Sequence, residues 1–322
     1  MIRPEGVYVR IPASTANLGP GFDTLGMALS LYAWIGMKEA DETAIRLYGN
    51  EMEGIPTDKN NLVYQVAQMA FREAGVHLPE LEISMYSDIP LTRGLGSSAS
   101  AIVGALYAAN ALIGSPLPDA RLLDMATAIE DHPDNVGASL FGGFITAVWD
   151  GEHADYVRME PHEDLEVLVV IPDFQLKTSE ARKVLPEKIG RKDAVYNISR
   201  SSLLVAALAQ GRLDLIGRAM SDRLHQPYRA GLVPGMAEIL ERAVEHGALG
   251  IALSGAGPTL LALVDRHSLR KKELESYLLN TMKAEGISAS ARWLVPDREG
   301  ARLIGSMSTG SFMDMIEGEV NA

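Results

Sequence analysis

The chain has 322 residues, of which 47% are hydrophobic and 22% are charged, and it contains no cysteine. A chain of this length and composition buries a large core and is expected to form more than one domain. The absence of cysteine excludes disulfides, thiolate metal ligands and a cysteine nucleophile. The formal net charge of −13 disfavours nucleic acid and anionic membranes as partners, because no run of Lys and Arg supplies a basic patch.

The N-terminal stretch MIRPEGVYVRIPAS lacks the apolar segment of a secretory signal, so we expect a cytoplasmic protein. Two long uncharged stretches, residues 94–118 and 247–264, contain several polar, Gly and Pro residues. Neither has the uniform apolar character of a membrane-spanning helix. We interpret the first as a buried helix and the second as a strand, a turn and a strand.

Hydrophobic spacing predicts the elements of the first half of the chain. Alternating and apolar runs predict strands, the first of which is expected to end at Pro12. Residues with helical spacing predict three helices. The predicted strands cover residues 7–11, 29–37, 43–48, 81–86 and 144–149, and the predicted helices cover residues 61–74, 98–113 and 118–130.

The charged, turn-rich residues 150–164 predict a domain boundary. Beyond it we expect a strand at residues 165–171, helices at 197–210 and 236–246, and strands around Ile251 and Leu260. Separate strands and helices favour an α+β fold. We divide the chain into residues 1–160, residues 161–300 and a C-terminal extension, residues 301–322.

The hexapeptide GLGSSA at residues 94–99 matches the dinucleotide fingerprint G-x-G-x-x-[GA]. Its context argues against that interpretation, because seven residues separate it from the preceding strand and the acid at the expected offset, Asp119, follows no strand. A P-loop is excluded because no Gly-Lys-Ser/Thr follows. Glycines before a helix still predict a phosphate site, with donors from backbone N–H groups, Ser97 and Ser98. A flexible loop before a core helix is the alternative.

Three stretches occur together in this order: PASTANLGPGFD at residues 12–23, PLTRGLGSSAS at 90–100 and LSGAGPT at 253–259. They resemble the three signature motifs of the GHMP small-molecule kinases, and the resemblance covers the chain up to about residue 296. Within that superfamily, STANLGPGFDTLGMAL, HPDNVGASLFGGF, LKTSEARKVLP and HQPYR are similar to stretches typical of the homoserine kinases.

The resemblance implies a two-domain α+β fold, with a left-handed βαβ unit in the N-terminal domain and a ferredoxin-like C-terminal domain. It implies transfer of a phosphoryl group from ATP, with Mg²⁺, to L-homoserine, giving O-phospho-L-homoserine on the route to threonine. It also implies a homodimer. The resemblance assigns the ATP site to the following residues: Asn61, Pro90, Arg93, Gly94, Leu95, Gly96, Ser97, Ser98, Ala99, Ser100 and Gly257. For Asn61, a helix N-cap is the alternative role.

Homoserine is a zwitterion, so its site needs a carboxylate for the ammonium group and guanidinium groups for the carboxylate. The family pattern assigns Asp23 to the ammonium group and Arg182 and Arg229 to the carboxylate. It also places Asn17, His132, Asp134, Thr178 and Gly255 at the substrate. The alternatives are a Gly-Pro-Gly turn shaped by Asn17 and Asp23, a helix-ending turn at His132, and solvated arginines.

The magnesium ligands implied by the resemblance are Ser98 and Glu130, with Asp124 as a rival for Glu130. Asn135 stands where mevalonate-type relatives carry an aspartate, and an asparagine cannot accept a proton at neutral pH. We therefore expect catalysis by Asn17, Ser98, Glu130 and Asn135 through positioning and charge stabilisation, without a strong base. The alternatives are a GHMP kinase for another small alcohol and a catalytically silent ligand sensor.

Overall fold

The computed structural model describes residues 2–307 and 311–320. Residues 308–310 and 321–322 of the predicted C-terminal extension lie outside the described residues. The strands are β1 (Val7–Ala16), β2 (Leu25–Glu39), β3 (Ala44–Tyr48), β4 (Leu81–Ser87), β5 (Phe144–Trp149), β6 (Ala154–Met159), β7 (Leu165–Pro172), β8 (Gly250–Leu253), β9 (Leu260–Asp265), β10 (Ala289–Leu294) and β11 (Arg302–Gly305). The helices are α1 (Leu62–Glu73), α2 (Ser97–Leu112), α3 (Asp119–Glu130), α4 (Asp134–Phe141), α5 (Thr178–Lys183), α6 (Arg191–Ala209), α7 (Ile216–Ala219), α8 (Gln226–Arg229), α9 (Met236–Arg242), α10 (Lys271–Ala284) and α11 (Phe312–Val320).

The first sheet contains seven strands, in the order β11-β1-β2-β4-β3, with β5 paired to β2 and β6 paired to β5. Strands β3 and β4 run parallel and are connected through α1, which makes a βαβ unit. Helix α2 packs on β1 and β2, and its central residues are almost all buried. This apolar layer holds the start of α2 at the end of the first sheet.

The second sheet contains four antiparallel strands in the order β10-β7-β9-β8. With α6 between β7 and β8 and α10 between β9 and β10, this is the ferredoxin-like arrangement. A hydrophobic cluster joins the two sheets, with Met27 and Leu29 of β2 beside Val167 of β7 and Leu204 of α6. The α+β class is confirmed, and the shared cluster holds the two sheets in one relative position.

The C-terminal extension returns to the first sheet. Strand β11 pairs antiparallel with β1, and α11 buries Phe312 and Ile316 against Tyr8 and Trp34. Within the described residues, none of the helices has the length and apolar character needed to cross a membrane.

Two sequence-based expectations about the elements were wrong. Strand β1 continues beyond Pro12, because the register with β2 shifts between Pro12 and Ala13, and such an irregularity tolerates a residue without an N–H. Helix α6 begins at Arg191, so Asn197 lies inside it with a buried side chain. Strand β6 lies within residues 150–164 and belongs to the first sheet, and the division of the chain at residue 160 stays a prediction.

Candidate functional site

A cavity lies where loops of the two sheets meet. Residues 17–23 follow β1, residues 92–96 lead into α2, and residues 254–257 follow β8. The lining residues are Ala16, Asn17, Asp23, Thr92, Gly94, Gly96, Ser97, Ser98, Ala99, Glu130, His132, Asp134, Asn135, Leu176, Thr178, Arg182, Arg229, Gly255, Ala256 and Gly257. The predicted phosphate residues and the predicted substrate residues therefore share one space.

Helix α2 opens into this cavity without a side-chain cap. Its N-cap residue is Gly96, with φ of 70°, and no side chain bonds to the first turn. A Cβ on Gly96 would lie 2.1 Å from Ser14 Oγ, and a Cβ on Gly94 would lie 2.3 Å from the Ser254 carbonyl oxygen. Both positions require glycine for space as well as for conformation. The first N–H groups of a helix lack partners inside the helix, so this start is suited to an anion.

Six of the predicted ATP-site residues line the cavity and five do not. Leu95 is fully buried in the hydrophobic cluster between the sheets. The Ser100 hydroxyl donates to the Ser97 carbonyl at 3.0 Å, and Arg93 donates to the Asp173 carbonyl at 2.8 Å. Pro90, like these three residues, is absent from the lining. The contact surface of the loop is therefore formed by its glycines and by the first turn of α2.

Asn61 also lies outside the cavity lining. It is fully buried and caps α1, where its Oδ1 accepts from Val63 N at 2.8 Å and its Nδ2 donates to the Pro56 carbonyl at 2.7 Å. The alternative role of a helix N-cap is confirmed by this geometry. A contact between Asn61 and a nucleotide stays a prediction.

The loop after β1 has an unusual backbone. Asn17, Leu18 and Asp23 have φ values of 71°, 47° and 54°, a region that non-glycine residues adopt at a cost of about 1–2 kcal/mol each. Asn17 holds the loop, because its Nδ2 donates to the Gly255 carbonyl at 3.0 Å and its Oδ1 accepts from Asp23 N at 3.0 Å. This backbone directs the Asp23 carboxylate into the cavity.

The two predicted arginines lie side by side on different elements. Arg182 of α5 forms two hydrogen bonds with the Asp23 carboxylate, and Arg229 of α8 is only 2% exposed. Arg229 donates to the carbonyls of Ala181 and Gly255 at 3.1 and 3.0 Å. Burial, and then the charge of Arg182, lower the pKa of Arg229 to about 10, so it stays charged at neutral pH. Burial alone would lower the pKa of Arg182, but the hydrogen bonds to Asp23 raise it above its ordinary value.

His132 and Asp134 form a second charged pair beside Asp23, since the His132 nitrogen and one carboxylate oxygen of each aspartate lie within 4.8 Å of one another. His132 Nδ1 lies 2.7 Å from Asp134 Oδ1, which also accepts from Asn135 N at 2.7 Å. Burial alone would lower the pKa of His132, but the bond and charge of Asp134, with Asp23 and Glu130 nearby, raise it to about 9. Asp134 Oδ2 is buried and has no hydrogen-bond partner within the described chain. Because Asp134 lines the cavity, a cationic group of a ligand is a chemically matched partner for this oxygen.

Ser98 and Glu130 meet at the edge of the cavity, with the Ser98 hydroxyl donating to Glu130 Oε1. The rival Asp124 lies elsewhere, since its carboxylate accepts from Ala154 N at 2.9 Å and contacts His153 at 3.2 Å. A hydroxyl beside a carboxylate, next to a phosphate site, is the oxygen donor set that Mg²⁺ prefers. The geometry therefore favours Glu130 over Asp124.

Asn135 faces the start of α2. Its Oδ1 accepts from the Ser14 hydroxyl at 3.0 Å, and Ser14 in turn accepts from Ser139 at 3.1 Å. Thr178, the first residue of α5, is exposed and lines the cavity. The predicted catalytic and substrate residues are thus all present in the lining.

Sequence reasoning overlooked two residues near the arginines. The Phe22 ring lies 5.4 Å from both the Arg182 and the Arg229 guanidinium carbons, and 5.2 Å from the His225 ring. Both residues lie inside quoted motifs, GPGFD and HQPYR, from which only Asp23 and Arg229 were selected. The local sequence contains no signal for either role, because the cations beside Phe22 and the carbonyl beside His225 belong to distant parts of the chain.

Comparison with known proteins identifies the family and the fold of the chain. Residues 61–143 match the family model for the GHMP kinases N terminal domain, and residues 204–280 match the model for GHMP kinases C terminal. Homoserine kinase of Deinococcus radiodurans is 47% identical over 87% of this chain and 91% of its own length. Homoserine kinase of Moorella thermoacetica is 44% identical over 92% of this chain and 99% of its own length.

The chain belongs to the homoserine kinase family. Among solved structures, homoserine kinase from Cytophaga hutchinsonii superposes with a TM-score of 0.84 and 28% identity, covering 93% of this chain and 98% of that one. Mevalonate kinase from Methanococcus jannaschii, at 18% identity and a TM-score of 0.64 over 93% of this chain and 99% of that one, shares the fold. The GHMP kinase fold that the sequence predicts is therefore confirmed.

Proposed function

We propose that the cavity transfers the γ-phosphoryl group of ATP to the side-chain hydroxyl of L-homoserine, giving ADP and O-phospho-L-homoserine, a step towards threonine. One observation carries the proposal: an uncapped helix start suited to phosphate and a set of opposite charges suited to a zwitterion line the same cavity. Membership of the homoserine kinase family supports the same activity.

The phosphate half of the site consists of Gly94, Gly96, Ser97, Ser98 and Ala99. Backbone N–H groups of the first turn of α2 bind the phosphate oxygens, and the positive end of the helix dipole stabilises their charge. Because both glycines are in close contact with neighbouring atoms, the loop is held in one shape before ATP binds. Such preorganisation stabilises the charge that develops during transfer.

The substrate half recognises both charges of the zwitterion. Arg229 and Arg182 bind the carboxylate, and Asp23 with the unpartnered Oδ2 of Asp134 binds the ammonium group. Asn17 acts through the loop, because its two hydrogen bonds set the position of Asp23. The remaining hydroxyl end of homoserine then lies towards Asn135 and α2.

Ser98 and Glu130 are the residues that hold Mg²⁺, which when bound neutralises phosphate charge. Asn135 orients the acceptor hydroxyl and cannot take its proton at neutral pH, so the proton leaves to phosphate or water. Phosphoryl transfer needs little bond-making help from the protein, since positioning and charge stabilisation supply most of the rate. Asp134 stays with the imidazolium of His132.

The protein acts as a cytoplasmic enzyme without nucleic acid or membrane partners, in agreement with its net charge of −13. A homodimer stays a prediction.

The proposal is tested by measuring ADP release from ATP and magnesium with L-homoserine, D-homoserine, L-serine, mevalonate and shikimate. Selective turnover of L-homoserine supports it. Turnover of another acceptor would support the assigned phosphate site and contradict the assignment of L-homoserine as the substrate. Tight binding of L-homoserine without turnover of any acceptor would identify a ligand sensor.

A further inference from the structure

We propose that His225 is a positioning residue which, as a neutral imidazole, holds the substrate loop at residues 17–23 against the carboxylate-binding Arg229. This inference rests on the proposed function, because that function assigns both the loop and Arg229 to the binding of L-homoserine. His225 itself does not line the cavity. It lies behind the cavity wall, where loops from the two sheets meet.

The partners of His225 determine where its single proton lies. The side chain is fully buried, with Nε2 2.7 Å from the Gly19 carbonyl oxygen and Nδ1 3.2 Å from Arg229 Nη1. A carbonyl only accepts and a guanidinium only donates, so Nε2 carries the hydrogen and Nδ1 offers its lone pair. A protonated His225 would direct an N–H group at the guanidinium and lose that bond.

Burial favours the neutral form of His225. Burial is the largest influence and lowers its pKa, and the charge of Arg229 acts in the same direction. Asp222, whose Oδ2 lies 3.7 Å from Nε2, and Asp23 oppose this shift without reversing it. The hydrogen bond to the Gly19 carbonyl also acts to raise the pKa, and the Phe22 ring, 5.2 Å from the His225 ring, is uncharged.

The hydrogen bonds around His225 form a closed ring. Arg229 Nη1 also donates to the Gly255 carbonyl at 3.0 Å, and the same oxygen accepts from Asn17 Nδ2 at 3.0 Å. Asn17 begins the loop, and the loop returns to His225 through the carbonyl of Gly19. The ring therefore couples the position of the loop to the position of Arg229.

The loop needs such external contacts. A backbone with several non-glycine residues at positive φ persists only where its surroundings determine it. Besides Arg182 at Asp23 and Gly255 at Asn17, the C-terminal half of the chain contacts the loop through Asn197, whose Nδ2 lies 3.3 Å from the Pro20 carbonyl, and through His225 at Gly19. Of these two residues, His225 also contacts a substrate-binding side chain, so it can transmit the loop position to Arg229.

Imidazole is the side chain that satisfies both partners at once. An asparagine amide reaches the position of Nδ1 but not that of Nε2, and a glutamine amide reaches the position of Nε2 but not that of Nδ1. The variants His225→Asn and His225→Gln therefore remove the Gly19 bond and the Arg229 bond separately. His267→Gln is the matched control, since His267 is exposed and lies outside the site.

The test measures KM for L-homoserine, KM for ATP, kcat and the melting temperature of the three variants and of the unmodified protein. Loss of one buried hydrogen bond to a charged or strained partner costs about 1–3 kcal/mol, so both His225 variants should raise KM for homoserine about 5- to 100-fold and change KM for ATP less than twofold. The control should change neither. A purely structural role would lower the melting temperature or kcat and leave KM for homoserine within twofold, which would contradict the proposal.

Failure of the proposed function is distinguishable, since the unmodified protein would then turn over no homoserine in the same assay. If the variants do not fold, the unmodified protein labelled with ¹⁵N-histidine supplies the test. The chain has seven histidines, and one of them should stay a neutral Nε2–H tautomer at pH 6. A spectrum in which no histidine keeps that form would overturn the proposal.

Discussion

Arg182 and Asp23 hold each other by two parallel hydrogen bonds, 3.0 Å from Nη1 to Oδ2 and 2.7 Å from Nη2 to Oδ1. In the proposed site these two residues bind opposite ends of one zwitterion, so in the free protein each neutralises the other. The side chains are 38% and 32% exposed, and a pair this accessible contributes about 0–1 kcal/mol. A zwitterion that supplies both charges therefore separates the pair at little cost.

Breaking either side of this pair should weaken homoserine binding selectively. We expect Asp23→Asn and Arg182→Lys each to raise KM for L-homoserine about 10- to 100-fold, because a hydrogen bond to a charged group contributes about 1.5–3 kcal/mol and a lysine lacks the planar fork. Steady-state kinetics with each substrate varied in turn is the measurement. Equal rises in KM for ATP and for homoserine would show that the pair only supports the fold.

Gly96→Ala should abolish activity because of a steric clash rather than backbone conformation. Gly75 has nearly the same φ, 68° against 70°, but no atom lies within 4 Å of a Cβ placed there. Gly75→Ala is therefore the matched control, with a cost of about 1–2 kcal/mol from conformation alone. We expect the control to keep its kcat and the Gly96 variant to lose ATP binding, measured by nucleotide titration. Similar ATP affinities in the two variants would refute a close-contact role.

Glu130→Gln should raise the magnesium concentration needed for half-maximal rate about tenfold or more, since loss of an anionic ligand weakens a hard cation site. Asp124→Asn is the control, because an amide oxygen can still accept from Ala154 N. Rates measured over a magnesium titration at saturating ATP decide between the two carboxylates. A shift in the Asp124 variant alone would identify the rival ligand.

Asn135→Asp should lower kcat about tenfold or more. A carboxylate at this position would add a negative charge beside the phosphates, which costs about 1–4 kcal/mol at close range. The hydrogen bond from Ser14 would persist, so the fold should not change. A manyfold rise in kcat with unchanged homoserine affinity would mean that transfer is limited by the lack of a base.

Glu80 should make the stability of the fold depend on acid pH. The bonds from Lys59 and Thr43 lower its pKa to about 2 from an ordinary value of 4.5. Because the folded-state pKa is depressed, this contribution is present above about pH 4.5 and disappears as the pH falls towards 2. Urea unfolding should show that the free energy of unfolding falls less between pH 6 and pH 3 for Glu80→Gln than for the exposed control Glu53→Gln. An equal fall in unfolding free energy for the two variants would contradict this role of Glu80.

The sequence predicted most of the site because its residues lie in short motifs. The glycines and serines of residues 94–99 carry their chemistry locally, and the helix after them begins at Ser97, one residue before the expected start. What local patterns do not contain is pairing between distant segments. The bond between Asp23 and Arg182 joins residues 159 positions apart, and the irregular register that keeps Pro12 inside β1 depends on β2.

The predicted site residues that do not line the cavity stand mostly at motif positions that face inwards. Leu95 and Ser100 belong to the phosphate loop in sequence, but their side chains fill the interior beside it. His225 stands in a quoted motif and was not selected, because its role depends on a carbonyl 206 positions away.

Phosphoryl transfer from ATP to L-homoserine can be followed directly by ³¹P NMR of the protein with ATP, magnesium and L-homoserine. We expect a phosphomonoester resonance coupled to a CH₂ group to grow as the γ-phosphate resonance declines, and to coincide with authentic O-phospho-L-homoserine. Growth of inorganic phosphate alone, or an unchanged spectrum, would contradict phosphoryl transfer to homoserine.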